Sequence, residues 1–291
     1  MKVKEFYRPK TVEDALSMLD KKEAARVIAG GTDLIIAIRE RFALPNALVD
    51  VSGITELQGI REEGDALLIG AGTTFSELLH SDLVKTYCNS LHEAASVMGA
   101  VQVRNRATIG GNVATSTTTA DSVPPLLSLN ATALVRSPRG SRNVSVADIV
   151  VGAGKNSLAA DELITTFRIE KRPGAVSLFE KVGRRKALAV STINLAVCAQ
   201  LDAGNIKYIS LALGAVGESS YTGEVAFRVA ELEQFLTGKA LNNDVIAEAA
   251  GKIESIAAAK LAGFPSAPYK QKIAATVLQR ALKRILGGEG R

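Results

Sequence analysis

The sequence predicts an α+β protein, in which a two-part α/β domain precedes a small antiparallel sheet covered by helices. In the first half of the chain, short β-branched runs alternate with segments of helical periodicity. In the second half, three longer apolar runs come first and three helical segments follow them. The charged, turn-rich segment KRPG at residues 171–174 separates the two patterns. We therefore expect one domain over residues 1–172 and another over residues 173–291.

The predicted elements of the first domain follow from residue period and from turn-forming residues. Short β-branched or alternating runs predict strands at residues 26–29, 47–51, 66–70, 133–136 and 142–146. Thr11 and Thr74 each precede a helical segment and have an acidic residue three positions later, which is typical of helix N-termini. Residues 110–122 contain almost no bulky apolar side chain, so we expect them to form a loop.

The second domain is predicted to begin with an antiparallel meander. Its three strands are expected at residues 177–182, 193–201 and 206–213, with a hairpin turn over residues 202–205. Helical periodicity then predicts helices at residues 227–236, 243–261 and 267–286. This order of elements gives a small sheet covered by helices.

Composition excludes several classes of protein. The chain has 291 residues, of which 47% are hydrophobic and 22% charged, and no apolar run approaches the roughly 20 residues of a membrane span. The N-terminus MKVKEFYRPK lacks the apolar region of a secretory signal, so a cytoplasmic location is expected. The two cysteines are far apart, which argues against a resident iron–sulfur or zinc site. The net charge of +5 is spread along the chain without a basic stripe for nucleic acid.

Two glycine pairs, Gly30-Gly31 and Gly110-Gly111, are the strongest candidate binding elements. Glycine permits positive φ and lets backbone N–H groups approach a phosphate closely. Hydroxyl or amide side chains follow each pair, Thr32 after the first and Asn112 after the second. Each pair alone is also compatible with an ordinary turn, and neither fits a Rossmann or P-loop pattern. If the turns are tolerant, valine at Gly30 or Gly111 is expected to block a diphosphate and leave folding largely intact.

Other polar residues give weaker signals. Asp121 fits either a helix N-cap or an acceptor for sugar hydroxyls. Lys181, Arg184, Arg185 and Lys186 form a basic cluster, which is equally typical of a solvated strand end. His80 and His92 have no partner motif, and no serine lies in a nucleophile elbow. We therefore expect neither a metal site nor a side chain that acts as general acid, base or nucleophile.

Four segments resemble one known family. They are VIAGGTDL at residues 27–34, QVRNRATIGGNVATSTTTAD at residues 102–121, FEKVGRRKALAVS at residues 179–191 and FPSAPYKQK at residues 264–272. Their order and spacing resemble the FAD-binding subunits of molybdenum hydroxylases, similar to those of bacterial xanthine, nicotinate and carbon monoxide dehydrogenases. Acidic residues that follow the basic pair in xanthine-oxidising relatives are replaced by Lys186-Ala187-Leu188, so the chain is more similar to relatives that act on nicotinate or other N-heterocycles.

The resemblance implies an FAD site and a set of contact residues. The first glycine loop, residues 27–34, and the second glycine loop, residues 108–112, would bind the diphosphate. Asp121 would hold ribityl or ribose hydroxyls, and Lys181 would lie at the flavin side. The implied contacts are Val27, Ile28, Ala29, Gly30, Gly31, Thr32, Asp33, Leu34, Gly99, Thr108, Ile109, Gly110, Gly111, Asn112, Asp121, Ile164 and Lys181.

The resemblance also implies partners. A large subunit would carry molybdopterin and hydroxylate a purine or other N-heteroaromatic compound, and a small subunit would carry [2Fe-2S] clusters. FAD in this chain would pass the electrons to NAD or another acceptor, and the assembly is expected to be a dimer of heterotrimers. Two alternatives stay open, a stand-alone FAD-dependent oxidase and a non-catalytic nucleotide-binding module.

Overall fold

The computed structural model describes residues 3–41, 43–185, 188–219 and 221–288. Its N-terminal part is a three-stranded parallel sheet in the order β1-β3-β2, with β1 at Glu5–Tyr7, β2 at Ala25–Ile28 and β3 at Ala47–Asp50. The helices of this part are α1 at Val12–Lys21 and α2 at Leu34–Arg39. Thr11 caps α1 as predicted, since its hydroxyl accepts a hydrogen bond from Asp14 N at 3.1 Å.

The second part of the first domain is a five-stranded antiparallel sheet in the order β4-β5-β10-β6-β7. The strands are β4 at Ile60–Glu63, β5 at Ala66–Gly70, β6 at Thr132–Ser137, β7 at Gly140–Ser145 and β10 at Leu163–Glu170, and a small hairpin joins β8 at Val150–Gly152 to β9 at Lys155–Asn156. The helices are α3 at Phe75–Leu79, α4 at Asp82–Tyr87, α5 at Asn89–Val97, α6 at Val101–Arg104, α7 at Ile109–Thr115, α8 at Val123–Ser128 and α9 at Val146–Ile149. The predicted hairpin of β6 and β7 and the capping box at Thr74 are confirmed.

The prediction of a loop throughout residues 110–122 is wrong, because α7 occupies its first half. The hydroxyl of Thr108 accepts a hydrogen bond from Gly111 N and starts the helix, while Ile109 and Val113 anchor it in the core. The low apolar content has a packing cause. A Cβ on Gly110 would lie 2.7 Å from Ala71, so only a glycine allows the helix this close to the sheet.

The C-terminal domain carries a four-stranded antiparallel sheet in the order β11-β12-β13-β16. The meander predicted from the sequence is β11 at Val176–Gly183, β12 at Ser191–Asp202 and β13 at Asn205–Gly214, and a short hairpin of β14 at Gly217–Ser219 and β15 at Thr222–Gly223 follows it. The fourth strand, β16 at Ala226–Arg228, occupies the start of the segment predicted as helix, so α10 begins only at Ala230 and ends at Leu236. The last two helices, α11 at Asn243–Lys260 and α12 at Ala267–Leu286, agree with prediction.

The two domains are joined by a shared core and by buried polar contacts. Cys198 and Ala212 of the C-terminal sheet pack into the core of the first domain. Glu93 of α5 accepts hydrogen bonds from Phe179 N at 2.7 Å and from Arg284 Nη2 at 2.6 Å. These contacts hold the start of β11 against the first domain, which brings the candidate residues of the two domains together. Within the described part of the chain, no helix has the length and apolar character required to cross a bilayer.

Candidate functional site

A cleft of about 1020 Å³ lies where the parallel sheet of the first domain meets its antiparallel part. Both glycine loops line this cleft. Of the residues implied by the resemblance, those that line it are Val27, Ile28, Ala29, Gly30, Gly31, Thr32, Asp33, Leu34, Thr108, Gly110, Gly111, Asn112 and Ile164. Gly99, Ile109, Asp121 and Lys181 do not line it. The predicted residues therefore divide into a set at the cleft and a smaller set elsewhere.

The first glycine loop presents unsatisfied backbone donors to the cleft. Among the residues that the structure describes, no carbonyl or side chain accepts a hydrogen bond from the N–H groups of Gly30, Gly31, Thr32 and Asp33. Gly31 has a φ of +73°, a left-handed conformation that glycine adopts without strain. Consecutive free N–H groups of this kind form a concave site for an anion.

The second glycine loop has its donors already paired. The N–H groups of Ile109 and Gly110 donate to the carbonyls of Thr73 and Ala71 at 3.0 and 2.8 Å. The N–H groups of Gly111 and Asn112 donate to the hydroxyl and the carbonyl of Thr108. This loop therefore contributes a wall to the cleft, while the first loop contributes free N–H donors.

The glycines of the two pairs are required for different reasons. A Cβ on Gly30 would lie 1.9 Å from the carbonyl oxygen of Arg106, because the two loops pack backbone against backbone. A Cβ on Gly111 would lie 2.9 Å from the hydroxyl of Thr108, which would have to shift, and would meet no other atom within 4 Å. The expectation that valine at Gly30 leaves folding intact is therefore wrong. The same expectation for Gly111 is compatible with the structure.

Asp121 and Lys181 form a buried ion pair at the junction of the two domains. Lys181 Nζ lies 2.6 Å from Asp121 Oδ2, and the two side chains are 7% and 6% exposed. The other carboxylate oxygen accepts hydrogen bonds from Ser191 Oγ at 2.6 Å and from Asn194 Nδ2 at 3.1 Å. Asp121 does not act as a helix cap, because α8 begins after Ser122 and has no side-chain cap bond. That alternative interpretation of Asp121 is wrong.

A polar chain connects this junction to the second glycine loop. Asn112 Oδ1 accepts hydrogen bonds from the N–H and the hydroxyl of Ser122 at 3.2 and 2.7 Å, next to Asp121. Sequence reasoning did not assign Ser191 or Asn194 to the site. The one signal available was that polar residues interrupt the apolar run of β12. An alternating run does not reveal which distant carboxylate such residues face.

Gly99 and the described residues of the basic cluster, Lys181, Arg184 and Arg185, do not line the cleft. Gly99 is in the turn between α5 and α6, where its carbonyl accepts a hydrogen bond from Arg104 Nη1 at 3.1 Å. Arg185 donates to the carbonyl of Leu188, and Arg184 is exposed. Lys186 and Ala187 lie outside the described residues, so only part of the basic cluster and of the segment after it is seen.

The carboxyl group of Asp33 lies in the cleft, in the same loop as the free N–H groups of residues 30–33. The protein around the cleft removes solvent from the carboxyl of Asp33 and raises its pKa. The residues that the structure describes contain no cluster of histidine, cysteine and carboxylate groups with the arrangement of a metal site. Cys88 and Cys198 are both buried and free, and burial raises the pKa of the Cys198 thiol to about 11. Neither thiol has the character of a reactive nucleophile.

Both domains of the chain match known protein families. Residues 1–171 match the family described as the FAD binding domain in molybdopterin dehydrogenase. The chain is a FAD-binding subunit of the molybdenum hydroxylase family. Residues 178–285 match the C-terminal domain of the carbon monoxide dehydrogenase flavoprotein. This flavoprotein subunit thus belongs to a family of oxidoreductases, as the motif resemblance indicated.

Relatives of the flavoprotein subunit match it over nearly its whole length. The nicotinate dehydrogenase FAD-subunit of Eubacterium barkeri is 33% identical over 98% of this chain and 97% of its own. The carbon monoxide dehydrogenase medium chain of Afipia carboxidovorans is also 33% identical, over 96% of each chain. Among solved structures, carbon monoxide dehydrogenase from Hydrogenophaga pseudoflava superposes with a TM-score of 0.88 at 31% identity, covering 96% of each chain. These matches confirm the predicted fold class.

Proposed function

We propose that this subunit binds one FAD non-covalently, with the diphosphate held by the free N–H groups of residues 30–33. That run of unpaired donors is the observation that carries the assignment. A diphosphate supplies the acceptors that the donors lack, and hydrogen bonds to a charged acceptor are stronger than bonds between neutral groups. Neither glycine loop contains a histidine or a cysteine, which supports non-covalent attachment.

The opposite wall of the cleft fits the same ligand. Gly111 has no Cβ, and the space that a side chain would take is left to the cleft. Thr108 and Ile109 hold Gly111 in place from the start of α7. The remaining cleft residues implied by the resemblance, from Val27 to Leu34 and at Ile164, would surround the nucleotide part of FAD. We propose all of them as its contacts.

The isoalloxazine part would lie toward the domain junction. Lys181 donates a hydrogen bond at 3.2 Å to the carbonyl of Val97, the last residue of α5, two residues before Gly99. Val97, Leu188 and Val190 are exposed apolar side chains, 45%, 53% and 62% accessible. A flat aromatic ring system would cover such apolar surface. Asp121 and Lys181 would keep this end of the site rigid and would supply the polar contacts that the resemblance assigns to them.

FAD at this position would accept electrons and release them as a hydride or singly, a chemistry that belongs to the cofactor. The subunit would bind FAD, orient it and exclude water. Iron–sulfur clusters of a small partner subunit would deliver the electrons, since the two buried cysteines of this chain do not provide four cluster ligands. A large partner subunit with molybdopterin would hydroxylate a purine or another N-heteroaromatic compound. NAD or another acceptor would receive the electrons.

We further propose a cytoplasmic dimer of heterotrimers and a domain boundary at residues 172–173. The boundary is supported by the turn that separates β10 from β11 and by a second hydrophobic cluster composed of C-terminal residues. The relatives support the proposed partners, because one is the FAD-subunit and the other the medium chain of a dehydrogenase. The substrate class has the same support, from a nicotinate dehydrogenase at 33% identity.

The mode of FAD attachment is tested by acid precipitation of the purified protein. We expect the supernatant to contain one FAD per chain and the pellet to be colourless. Colour that remains with the denatured chain would show covalent attachment. A chain that binds neither FAD nor FMN at micromolar concentrations would instead favour the nucleotide-binding module.

The partners are tested by co-expression of this chain with its genomic neighbours and purification through a tag on it. We expect molybdenum and iron in fixed ratio to flavin, together with hydroxylation of an N-heteroaromatic substrate. A metal-free flavoprotein that oxidises an organic substrate rapidly and retains no partner would favour the stand-alone oxidase.

A further inference from the structure

The hairpin of β14 and β15 belongs to the C-terminal domain but packs on the first domain. Thr118 Oγ1 donates a hydrogen bond to the carbonyl of Ser219 at 2.7 Å. On the other strand, Ala153 N donates to the carbonyl of Gly223 at 3.2 Å. The hairpin is therefore attached to two different loops of the first domain, one of which follows α7.

The base of this hairpin is held by a buried cation. Lys270 of α12 is 7% exposed, and its ammonium donates to the carbonyl of Ala215 at 2.9 Å and to the carbonyl of Gly217. Burial lowers the pKa of Lys270. Glu218 also accepts a hydrogen bond from the N–H of Ser266, which ties the hairpin to the start of α12. The hairpin is thus held at its base and at Glu218, Ser219 and Gly223.

Tyr221, between the two strands of this hairpin, lines the cleft. Its ring lies against Gly154, where a Cβ would come within 2.8 Å of Tyr221 Cδ1. Tyr221 is 52% exposed and lines the same cleft as Thr32 and Asp33. Within the described part of the chain, its hydroxyl makes no hydrogen bond. A phenol whose hydroxyl has no partner in the described chain therefore shares the cleft with the free N–H groups of the first glycine loop.

We infer that Tyr221 is a cofactor-binding residue contributed by the C-terminal domain, whose hydroxyl donates a hydrogen bond to the FAD diphosphate. The inference rests on the proposed FAD site and adds a donor from the other domain. Loss of solvent, together with the negative charges of Asp33 and Glu40, raises the pKa of Tyr221. The phenol accordingly stays protonated at neutral pH, as a donor to an anion must. The cofactor would then contact both domains at its diphosphate end.

The test compares Tyr221→Phe with the wild-type chain by titration with FAD and with ADP, which has a diphosphate but no flavin. Loss of one neutral donor to a charged acceptor is expected to weaken both ligands roughly ten-fold. Tyr269→Phe is the matched control, because Tyr269 is 57% exposed on α12 and does not line the cleft. Thermal unfolding of both variants should match that of the wild type.

The outcomes separate this inference from the proposed function. Tight FAD binding by the wild type with unchanged affinity in Tyr221→Phe would overturn the role of Tyr221 and leave the FAD site standing. Weaker FAD binding with unchanged ADP binding would place the hydroxyl elsewhere on the cofactor and would overturn its assignment to the diphosphate. Failure of the wild type to bind FAD would contradict the proposed function itself.

Discussion

Residues 30–33 and residues 108–112 form two walls of one cleft, but they present different groups to it. The first wall offers backbone N–H groups that have no acceptor in the described protein. In the second wall, the N–H groups of residues 109–112 are paired with Ala71, Thr73 and Thr108. In the proposed FAD site, two glycine pairs with similar neighbours would therefore have different roles. One supplies donors, and the other supplies a fixed surface with room for a ligand.

The two walls also differ in the hydrogen bonds that they would form with the ligand. Free N–H groups in a cleft bind water until a ligand replaces it, so in the proposed site the first wall would exchange these bonds for stronger ones to the diphosphate. The second wall gains none, and its rigidity is maintained by the polar chain from Asn112 through Ser122 to the ion pair of Asp121 with Lys181. Substitutions in the two walls should therefore change the free energy of unfolding and the affinity for FAD to different extents.

The largest effect is expected for Gly30→Ala. The new Cβ would lie 1.9 Å from the carbonyl oxygen of Arg106, and neither backbone can move without separating the two walls. We expect a loss of more than about 4 kcal/mol in the free energy of unfolding, enough to leave little soluble protein. Gly53→Ala is the control, because a Cβ there meets nothing within 4 Å. Normal expression and thermal unfolding of Gly30→Ala would show that the walls are not packed in this way.

The next largest effect is expected when the ion pair between Asp121 and Lys181 is broken. Lys181→Met would leave the carboxylate of Asp121 buried without its cation, at a cost of about 3 kcal/mol in the free energy of unfolding. Lys181→Met combined with Asp121→Asn should recover at least half of that loss, since no unpaired charge remains. Urea denaturation of both variants measures the difference. A double variant no more stable than the single one would mean that the lysine acts through packing alone.

Gly111→Val should lower affinity and leave the fold in place. The valine side chain would enter the cleft and meet only the Thr108 hydroxyl within 4 Å at its Cβ. Exclusion of the diphosphate from two or more charge-assisted hydrogen bonds is expected to weaken FAD binding about a hundred-fold. Gly251→Val, an open glycine within α11, is the matched control. Equal FAD affinity in both valine variants would remove the second wall from the site.

The sequence indicated both walls, but it assigned them the same role and did not predict the difference between their N–H groups. Glycine pairs followed by Thr32 and Asn112, and their resemblance to a known flavoprotein family, identified both walls. The helix α7 escaped prediction because its small residues, among them Gly110 against Ala71, serve close packing and hide the helical period. The pairing of Asp121 with Lys181 depends on how two domains meet, at a separation of 60 residues. A local pattern carries no signal for such a contact.

The placement of Tyr221 was also outside the reach of sequence reasoning. In the sequence, Tyr221 stands among small polar residues and glycine, SSYTG at residues 219–223, which is typical of an exposed loop. The side chain of Tyr221 is 52% exposed, in agreement with that pattern. Its relation to the cleft arises from the buried ammonium of Lys270 and from Thr118, which hold the hairpin against another domain. Long-range contacts of this kind are determined by the assembled fold.

The smallest effect on the free energy of unfolding is expected for substitutions of Thr32 in the first wall and Thr108 in the second. The hydroxyl of Thr108 accepts a hydrogen bond from Gly111 N at 3.1 Å and caps α7, so Thr108→Ala should reduce the free energy of unfolding by about 1 kcal/mol. The side chain of Thr32 makes no hydrogen bond with the residues that the structure describes, so Thr32→Ala should change it by less than about 0.5 kcal/mol. Urea midpoints of the two ligand-free variants, at unchanged slope, provide the comparison. The order should reverse for FAD affinity, because the hydroxyl of Thr32 is free to bind the ligand and that of Thr108 is used in the helix cap. Equal losses of stability in the two variants would show that the first wall is as fully paired as the second and would break the distinction between them.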